Sequence, residues 1–384
     1  MDACRPGKPS GIRGTGFVHL ASLSLQNFRN YSSLSLEFPP SGAALVGENG
    51  AGKTNLLEAI YLLCTGRSQR AASRKTMIRR GSDTACTQGE FRSAGRVPTS
   101  VQFGFSSDKK LSVKVNQQTA GSVSDWFGQH RVVPFGPPDL QLVQGPPVER
   151  RRFMNMLLSQ VNGGYLSDLI LYRKALAQRN ALLSQGGTDS EIETYEDRMA
   201  EHGARLTAGR RALFRSITGW FVEFYRQTRS ASDTGSASIR LTPSIGAEED
   251  NEDACRKVLA EALRGRRRKD RMLGFSTAGP HRDDFLCAVE QGRAASYASQ
   301  GQCRTLAICL RLCSLRFLQH HGAKQGFLVL VDDAFCELDA DRVSRIYPMI
   351  KGTGQLFITS TSPDLPHANG LARMAVAGGA VRAV

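Results

Sequence analysis

The 384-residue sequence predicts an α/β fold. Three observations carry that prediction. Ala43-Ala44-Leu45-Val46, short and apolar, runs into Gly47-Glu48-Asn49-Gly50-Ala51-Gly52-Lys53-Thr54 and then into Asn55–Leu63, where apolar residues recur at helical spacing. Phe327-Leu328-Val329-Leu330-Val331 is a second, fully apolar strand, and it ends in Asp332-Asp333. Between them, from Pro147 to about Arg229, lies a long region of helical apolar spacing.

The first element fits the pattern G-x-x-x-x-G-K-[ST] in the strand–loop–helix setting that the pattern needs. Glycines let the backbone curl so that several N–H groups point at one anion, and the helix start adds unpaired N–H groups and the positive end of its dipole. Lys53 is placed to reach β- and γ-phosphates and Thr54 to hold Mg²⁺ through its hydroxyl. A glycine-rich turn before an ordinary helix is the alternative.

Ahead of this loop, residues 17–31 and 34–38 alternate apolar and polar, as two strands do, before the turn Pro39-Pro40-Ser41-Gly42. After the first helix, Arg67, Arg70, Arg74, Lys75, Arg79 and Arg80 crowd into a short span that faces either phosphate or solvent. Alternation from Cys86 to Asn116 predicts an antiparallel sheet, and Arg131–Leu140 a strand running into a proline-rich loop. In the helical region, Gly163-Gly164, Gly186-Gly187 and Gly203 mark possible interruptions, and no sustained heptads appear. Residues 230–253 are Ser-, Gly- and acid-rich and read partly as a loop. The next helix carries the densest basic run, Arg264 to Arg271, which reads equally as a phosphate-contacting face or a solvated helix end.

Gly279-Pro280-His281-Arg282-Asp283-Asp284-Phe285 forms a polar knot before a strand. Ser299, Gly301 and Gln302 open a helix running from Cys303 to about Leu318; an ordinary N-cap is the first reading and an anion site the second. As an anion site it would cap the nucleotide of a second subunit, because one γ-phosphate does not need two helix termini from one chain. Asp332 suits the Mg²⁺ shell and Asp333 the attacking water, the alternative being a strand-end pair that caps a turn. Gln355–Thr359 reads as the last strand, with a hydroxyl beyond it to sense a γ-phosphate.

Bulk properties agree. Net charge is +15 and the isoelectric point about 9.7, which favours a polyanionic partner. Nine cysteines without C-x-x-C pairs read as free thiols of a reducing cytosol, and no apolar run is long enough to span a membrane. Residues 1–17 lack the apolar core of a secretory signal and read as a disordered extension.

These motifs, in this order, resemble the ABC-type ATPase heads of SMC-like proteins. Asn27-Phe28-Arg29-Asn30-Tyr31, Gly52-Lys53-Thr54-Asn55-Leu56-Leu57-Glu58-Ala59-Ile60, Glu149-Arg150-Arg151-Arg152-Phe153 and Gly279–Asp284 are more specifically similar to the RecF family of bacterial recombination and repair proteins. The resemblance spans residues 18 to about 362. It implies an ABC-type P-loop ATPase head, lobe I, assembled from both ends of the chain, with an inserted, mainly helical lobe II. The expected divisions are residues 18–140 and 273–384 for the head and 141–272 for the insertion.

By the same resemblance, Gly47 to Thr54 bind ATP, Ser299, Gly301 and Gln302 act in trans across an ATP-dependent homodimer, and Lys53, Asp332 and Asp333 serve hydrolysis, with Thr54 and Asp332 on Mg²⁺. It also implies single- and double-stranded DNA and gap junctions as ligands, RecO and RecR as partners in loading RecA, a role in the SOS response, a cytoplasmic location and no membrane association. Three points depart from the family pattern. Cys303 stands at a usually polar position, the 1–17 extension has no counterpart, and the second acid is Asp333 rather than the Glu of transporter ATPases, though this suits the RecF family. Gln141 is the candidate for the glutamine loop. A long-armed SMC-type ATPase fits poorly, for want of a long arm or C-x-x-C hook. A transporter subunit fits poorly too, with Thr359-Ser360-Thr361 in place of a switch histidine and a charge of +15. A DNA clamp that binds ATP without turnover stays open.

Overall fold

The computed structural model describes residues 18–70, 73–108, 111–122, 126–230, 233, 235–246, 251–290, 292–322, 326–335, 338–362, 368 and 370–384. The expected extension, Cys4, Cys336 and Glu337, and part of the acidic run lie outside them.

A six-stranded sheet forms the centre of the head, in the order β15-β14-β3-β13-β12-β8. Its strands are β3 (Gly42–Val46), β8 (Val132–Phe135), β12 (Leu328–Val331), β13 (Gln355–Ser360), β14 (Ala372–Ala377) and β15 (Ala380–Ala383). All neighbours run parallel except β14 and β15. Central parallel strands are covered on both faces and so read as apolar runs: β12 is apolar throughout, and β13 is buried throughout with Leu356-Phe357-Ile358 between polar ends. Because β3 lies beside β13 and β13 beside β12, the sheet is woven from both ends of the chain. Two strands follow the one read as last: β14 and β15 are short and rich in alanine, which weakens their periodic signal.

Helix α1 (Lys53–Thr65) lies between this sheet and a second one. The second is antiparallel, ordered β2-β1-β4-β5-β6-β7, with β1 (His19–Phe28), β2 (Tyr31–Glu37), β4 (Thr84–Arg92), β5 (Thr99–Ser106), β6 (Leu111–Val115) and β7 (Gln118–Thr119). Sandwiched this way, α1 buries every residue except Thr54 and Asn55. Gln355 of β13 stitches the two sheets: its side chain accepts from the Leu20 amide at 2.7 Å and donates to the Leu20 and Pro39 carbonyls, each at 2.9 Å.

The insertion is built on helices α3 (Pro147–Val161), α4 (Gly163–Gln185), α5 (Asp189–Thr228) and α6 (Glu252–Leu273), after the single turn α2 (Leu140–Val143). Side-chain caps from Asn162, Thr188 and Asn251 start α4, α5 and α6. Helix α5 runs unbroken through Gly203, which the sequence offers as a possible interruption. A Cβ there would stand 2.5 Å from Leu259 Cδ2 and 3.1 Å from Tyr172 Cε2. This glycine therefore permits close packing and does not end the helix. The stretch read partly as a loop contains β9 (Ala237–Thr242), paired antiparallel with β10 (Asp284–Val289), which also pairs with β11 (Gly292–Arg293). Helix α7 (Ala294–Tyr297) leads into α8 (Gln300–Gly322), which packs against α5 within the larger core, and α9 (Ala340–Ile350) follows β12. Among the described residues, no helix is long and apolar enough to cross a membrane.

Candidate functional site

Parallel strands deliver their carboxyl ends to one edge, and here that edge gathers the phosphate loop after β3, Asp332 after β12 and Ser360 ending β13. The loop starts where the Gly47 amide donates to the Ser360 carbonyl at 3.1 Å. A Cβ on Gly47 would lie 2.2 Å from the Val376 carbonyl oxygen, so β14 closes the back of the cradle. Gly52 has φ +115°, and a Cβ there would meet Asn30 and Tyr31 at 2.5–2.6 Å. Those two residues hold the loop: Asn30 Nδ2 donates to the Ala51 carbonyl (3.1 Å) and Tyr31 Oη to the Gly52 carbonyl (3.0 Å). Asn30 Oδ1 also accepts from Asn55 Nδ2 at 2.8 Å.

Unlike α4, α5 and α6, helix α1 begins with no side-chain cap, which leaves its first N–H groups for an anion. The Lys53 ammonium is buried and donates to the Gly47 and Glu48 carbonyls at 2.7 and 3.0 Å, within the loop that it would share with a phosphate. Glu58, one turn further along, is clamped by Arg29 through two hydrogen bonds of 2.7 and 2.8 Å and accepts from Ser68. Asn27–Tyr31 is thus a bracket for the loop and its helix. The sequence singled out the motif, but its purpose becomes visible only with Glu58 and Gly52 in place.

The second half of the site forms around Asp332. Its Oδ1 accepts from Thr54 Oγ1 at 2.8 Å and Thr359 Oγ1 at 3.1 Å. Asp333, at φ +48°, turns back so that its amide donates to Thr359 Oγ1 (2.9 Å) while its carboxylate lies 3.2 Å from the same hydroxyl. Thr359 therefore joins both acids, a role the sequence reading gave to no residue. Ser360 instead accepts from the Ser362 amide and donates to the Ser362 carbonyl, both at 3.0 Å. Burial pushes the Asp332 carboxyl above its ordinary range, against the hydrogen bonds from Thr54 and Thr359 and the charge of Arg70. A hydroxyl and a desolvated carboxylate 2.8 Å apart form a hard-oxygen donor set that fits a divalent cation. Beside them opens a narrow cleft lined by Thr54, Gln69, Arg70, Gly136 and Asp332. Gln141, the glutamine-loop candidate, does not line this cleft, whereas Gln69 does.

Ser299 and Gln302 cap α8 reciprocally: the Gln302 amide donates to Ser299 Oγ (3.2 Å) and the Ser299 amide to Gln302 Oε1 (2.9 Å). Gln302 Nε2 reaches Asp233 at 3.2 Å, and Asp233 is held by Tyr225 Oη at 2.6 Å. Among the described residues, no hydrogen bond joins this cap to the phosphate loop of the same chain. Cys303 is fully buried, its Sγ facing the Ala294 and Ala298 carbonyls, so its departure from the family pattern lies inside the core and not on the face of the cap.

The family described as RecF/RecN/SMC N terminal domain matches residues 19–377. The protein of Halalkalibacterium halodurans called DNA replication and repair protein RecF is 34% identical over 354 residues, covering 90% of this chain and 94% of that one. Its namesake from Enterococcus faecalis is 33% identical over 353 residues, 90% of this chain and 93% of that one. The chain belongs to the RecF family. A solved structure of the recombination mediator protein RecF-ATP in the RecFOR pathway superposes with a TM-score of 0.87 at 28% identity, over 96% of this chain and 99% of that one. The Smc head domain of Pyrococcus furiosus shares the fold at TM-score 0.57 and 16% identity, over 96% of each chain.

In this RecF-family chain the remaining motifs meet between head and insertion. Arg150 pairs with Asp284 (2.6 and 2.8 Å), and Arg210 of α5 with Asp283 (2.7 Å), Asn155 (2.9 Å) and Tyr165 Oη (3.2 Å). His281 Nε2 lies 3.0 Å from the Ser276 carbonyl, so it donates, and Nδ1 accepts from Tyr172 Oη at 2.6 Å. Burial lowers the His281 pKa to about 4 and keeps the ring neutral. The polar knot is therefore a buried staple. Three of the six basic residues in the α6 run are tied to α5: Arg267 to Glu196 (2.5 Å), Arg271 to Asp189 (2.6 Å) and Arg264 to Glu193 and Asp197 (3.4 and 3.5 Å), while Arg266 donates to the Thr277 carbonyl (2.9 Å).

Proposed function

We propose that this chain is an ATP-gated DNA-binding protein of replication and recombinational repair, a switch with weak ATPase activity. The observation that carries the reading is the 2.8 Å hydrogen bond from Thr54 to Asp332, which joins the phosphate loop to the acidic strand end across 278 positions of sequence. The uncapped start of α1 and the glycine cradle supply N–H groups for the phosphates, and Lys53 adds a cation to them. Thr54 and Asp332 would hold Mg²⁺, which when bound neutralises charge developing on the phosphates. Asp333, fixed by Thr359, orients the attacking water.

The Ser299–Gln302 cap, unattached to its own phosphate loop, is suited to close on the nucleotide of a second copy, so ATP binding produces the homodimer and hydrolysis dissolves it. That dimer binds single- and double-stranded DNA and gap junctions through the basic surface expected from a net charge of +15. Likeness to RecF of the RecFOR pathway supports RecO and RecR as partners in loading RecA, a place in the SOS response and a cytoplasmic site of action.

Light scattering without nucleotide, with ADP and with ATP tests the switch. The dimer is expected with ATP alone. Asp333→Asn, which removes the water-orienting carboxylate, is expected to slow hydrolysis about 100-fold or more and to trap the dimer. A monomer with ATP would refute the gated dimer. Ser299→Arg keeps ATP binding and costs about 1 kcal/mol of helix capping, but blocks dimerisation by filling the trans pocket. A normal ATP-dependent dimer in that variant would reject the trans contact.

A further inference from the structure

We propose that the exposed end of α6 is a docking site for an acidic protein segment that carries apolar side chains. Its elements are Met272, Leu273 and Phe275, flanked by Arg268 and Lys269. The inference goes beyond the ATP-gated reading and does not depend on it.

The apolar part is a built surface. Met272, Leu273 and Phe275 are 83%, 46% and 40% exposed. Scattered exposed apolar residues are ordinary, but three of them within four positions form a patch. A frayed helix end does not explain it, because the strip is pinned on both sides. Helix α6 closes at Gly274, φ +74°, whose amide donates to the Asp270 carbonyl at 2.8 Å. Just beyond the strip, the Ser276 amide and hydroxyl both donate to Asn180 Oδ1, at 2.9 and 2.8 Å. Asp270 and Ser276 are buried, and Arg179 donates to both side chains, at 2.8 and 2.7 Å. A backbone held in this way has little order left to lose when a partner covers its side chains.

The charges around the strip choose the partner. Residues three and four apart share a helix face. Arg264, Arg267 and Arg271 follow that spacing, and all three pair with acids of α5. Arg268 stands four positions before Met272, and Lys269 four before Leu273, so these two cations share the face of the apolar side chains. Both are exposed, and neither has an acid partner among the described residues. Arg282 adds a third cation, its guanidinium 4.9 Å from the centre of the Phe275 ring. An acidic segment meets these charges while its apolar side chains cover Met272 and Leu273. A second copy of the chain would bring the same cations face to face. A nucleic acid would use the cations but not the two aliphatic side chains, and Arg282 already covers one face of the single aromatic ring in the strip.

The test is selection from a displayed library of random peptides on the immobilised full chain, followed by fluorescence anisotropy with the enriched sequences. Peptides rich in aspartate or glutamate, with leucine or phenylalanine among them, are expected. Met272→Ser weakens their binding about tenfold or more, the contribution of one buried methionine side chain. Arg268→Gln with Lys269→Gln weakens it about tenfold at low salt and flattens its salt dependence. Arg264→Gln, on the side turned to α5, leaves it unchanged. The melting temperature of the Met272→Ser protein is that of wild type; a fall would mean that the side chain packs inward and would overturn the patch. No enrichment of acidic peptides, or peptides that bind the Met272→Ser protein as tightly as wild type, overturns the docking site and leaves the proposed function standing. Oligothymidylate binding that falls in Met272→Ser overturns the peptide in favour of a nucleic acid. Self-association that the same change removes overturns it in favour of a second copy.

Discussion

Lys53→Ala is expected to abolish ATP binding at concentrations that saturate the wild type, and with it ATP-dependent dimerisation. The reason lies in what surrounds the ammonium. It is buried at the head of α1 and held by the Gly47 and Glu48 carbonyls, inside the loop whose N–H groups would face the phosphates of the proposed nucleotide. Each hydrogen bond to a charged group contributes about 1.5–3 kcal/mol, and a lysine bridging two phosphates makes more than one. An affinity loss of at least about 100-fold follows, measured by titration calorimetry. The fold should survive, because Asn30, Tyr31 and the Arg29–Glu58 clamp hold the loop and helix without the lysine. ATP-dependent dimers persisting in this variant would falsify the assignment of the phosphate loop.

The parts of the fold legible in the sequence were those with strong local signals. Strands β3 and β12 are unbroken apolar runs, α1 has helical spacing beside a glycine loop, and the 86–116 sheet alternates. What escaped depends on contacts made far along the chain. Strand β9 is a short segment in polar surroundings, and β10 pairs with it from more than forty positions away. Gly203 resembles a breaker until Leu259 and Tyr172 are seen against it. Strands β14 and β15 consist mostly of small residues, yet β14 closes the back of the phosphate loop at Gly47.

The candidate site divides in the same way. Residue type and spacing singled out Gly47–Thr54, Asp332 and Asp333, because each lies next to its own strand or helix. Thr359 carried no motif of its own, and its position between the two acids follows from the pairing of β13 with β12. Gln69 and Arg70 read only as part of a basic stretch, although they line the cleft beside Thr54 and Asp332. The two basic clusters could not be told apart by charge density. On α6, Arg264, Arg267 and Arg271 prove to be paired with acids of α5, contacts that charge density alone does not show.

Arg210→Met is expected to destabilise the protein by about 3–5 kcal/mol, the cost of breaking a buried ion pair from one side. Arg210 is 2% exposed, and its guanidinium serves Asp283, the Pro280 carbonyl, Asn155 and Tyr165 together. Without it, Asp283, itself fully buried, keeps among the described residues only the Ser244 amide at 2.8 Å as a donor to its carboxylate. Much of the loss is therefore the stranded carboxylate and not the missing attraction. Asp283→Asn in the Arg210→Met background should recover a substantial part of it, because an amide oxygen still accepts from Ser244 without carrying charge. Urea denaturation of the two single variants and the double variant measures the coupling from the shift in midpoint at constant slope. Strict additivity would mean that Arg210 and Asp283 act separately. A positive coupling makes the Gly279–Asp284 motif a staple that joins α5 to β10, and so the helical insertion to the strand that leads into the capped start of α8.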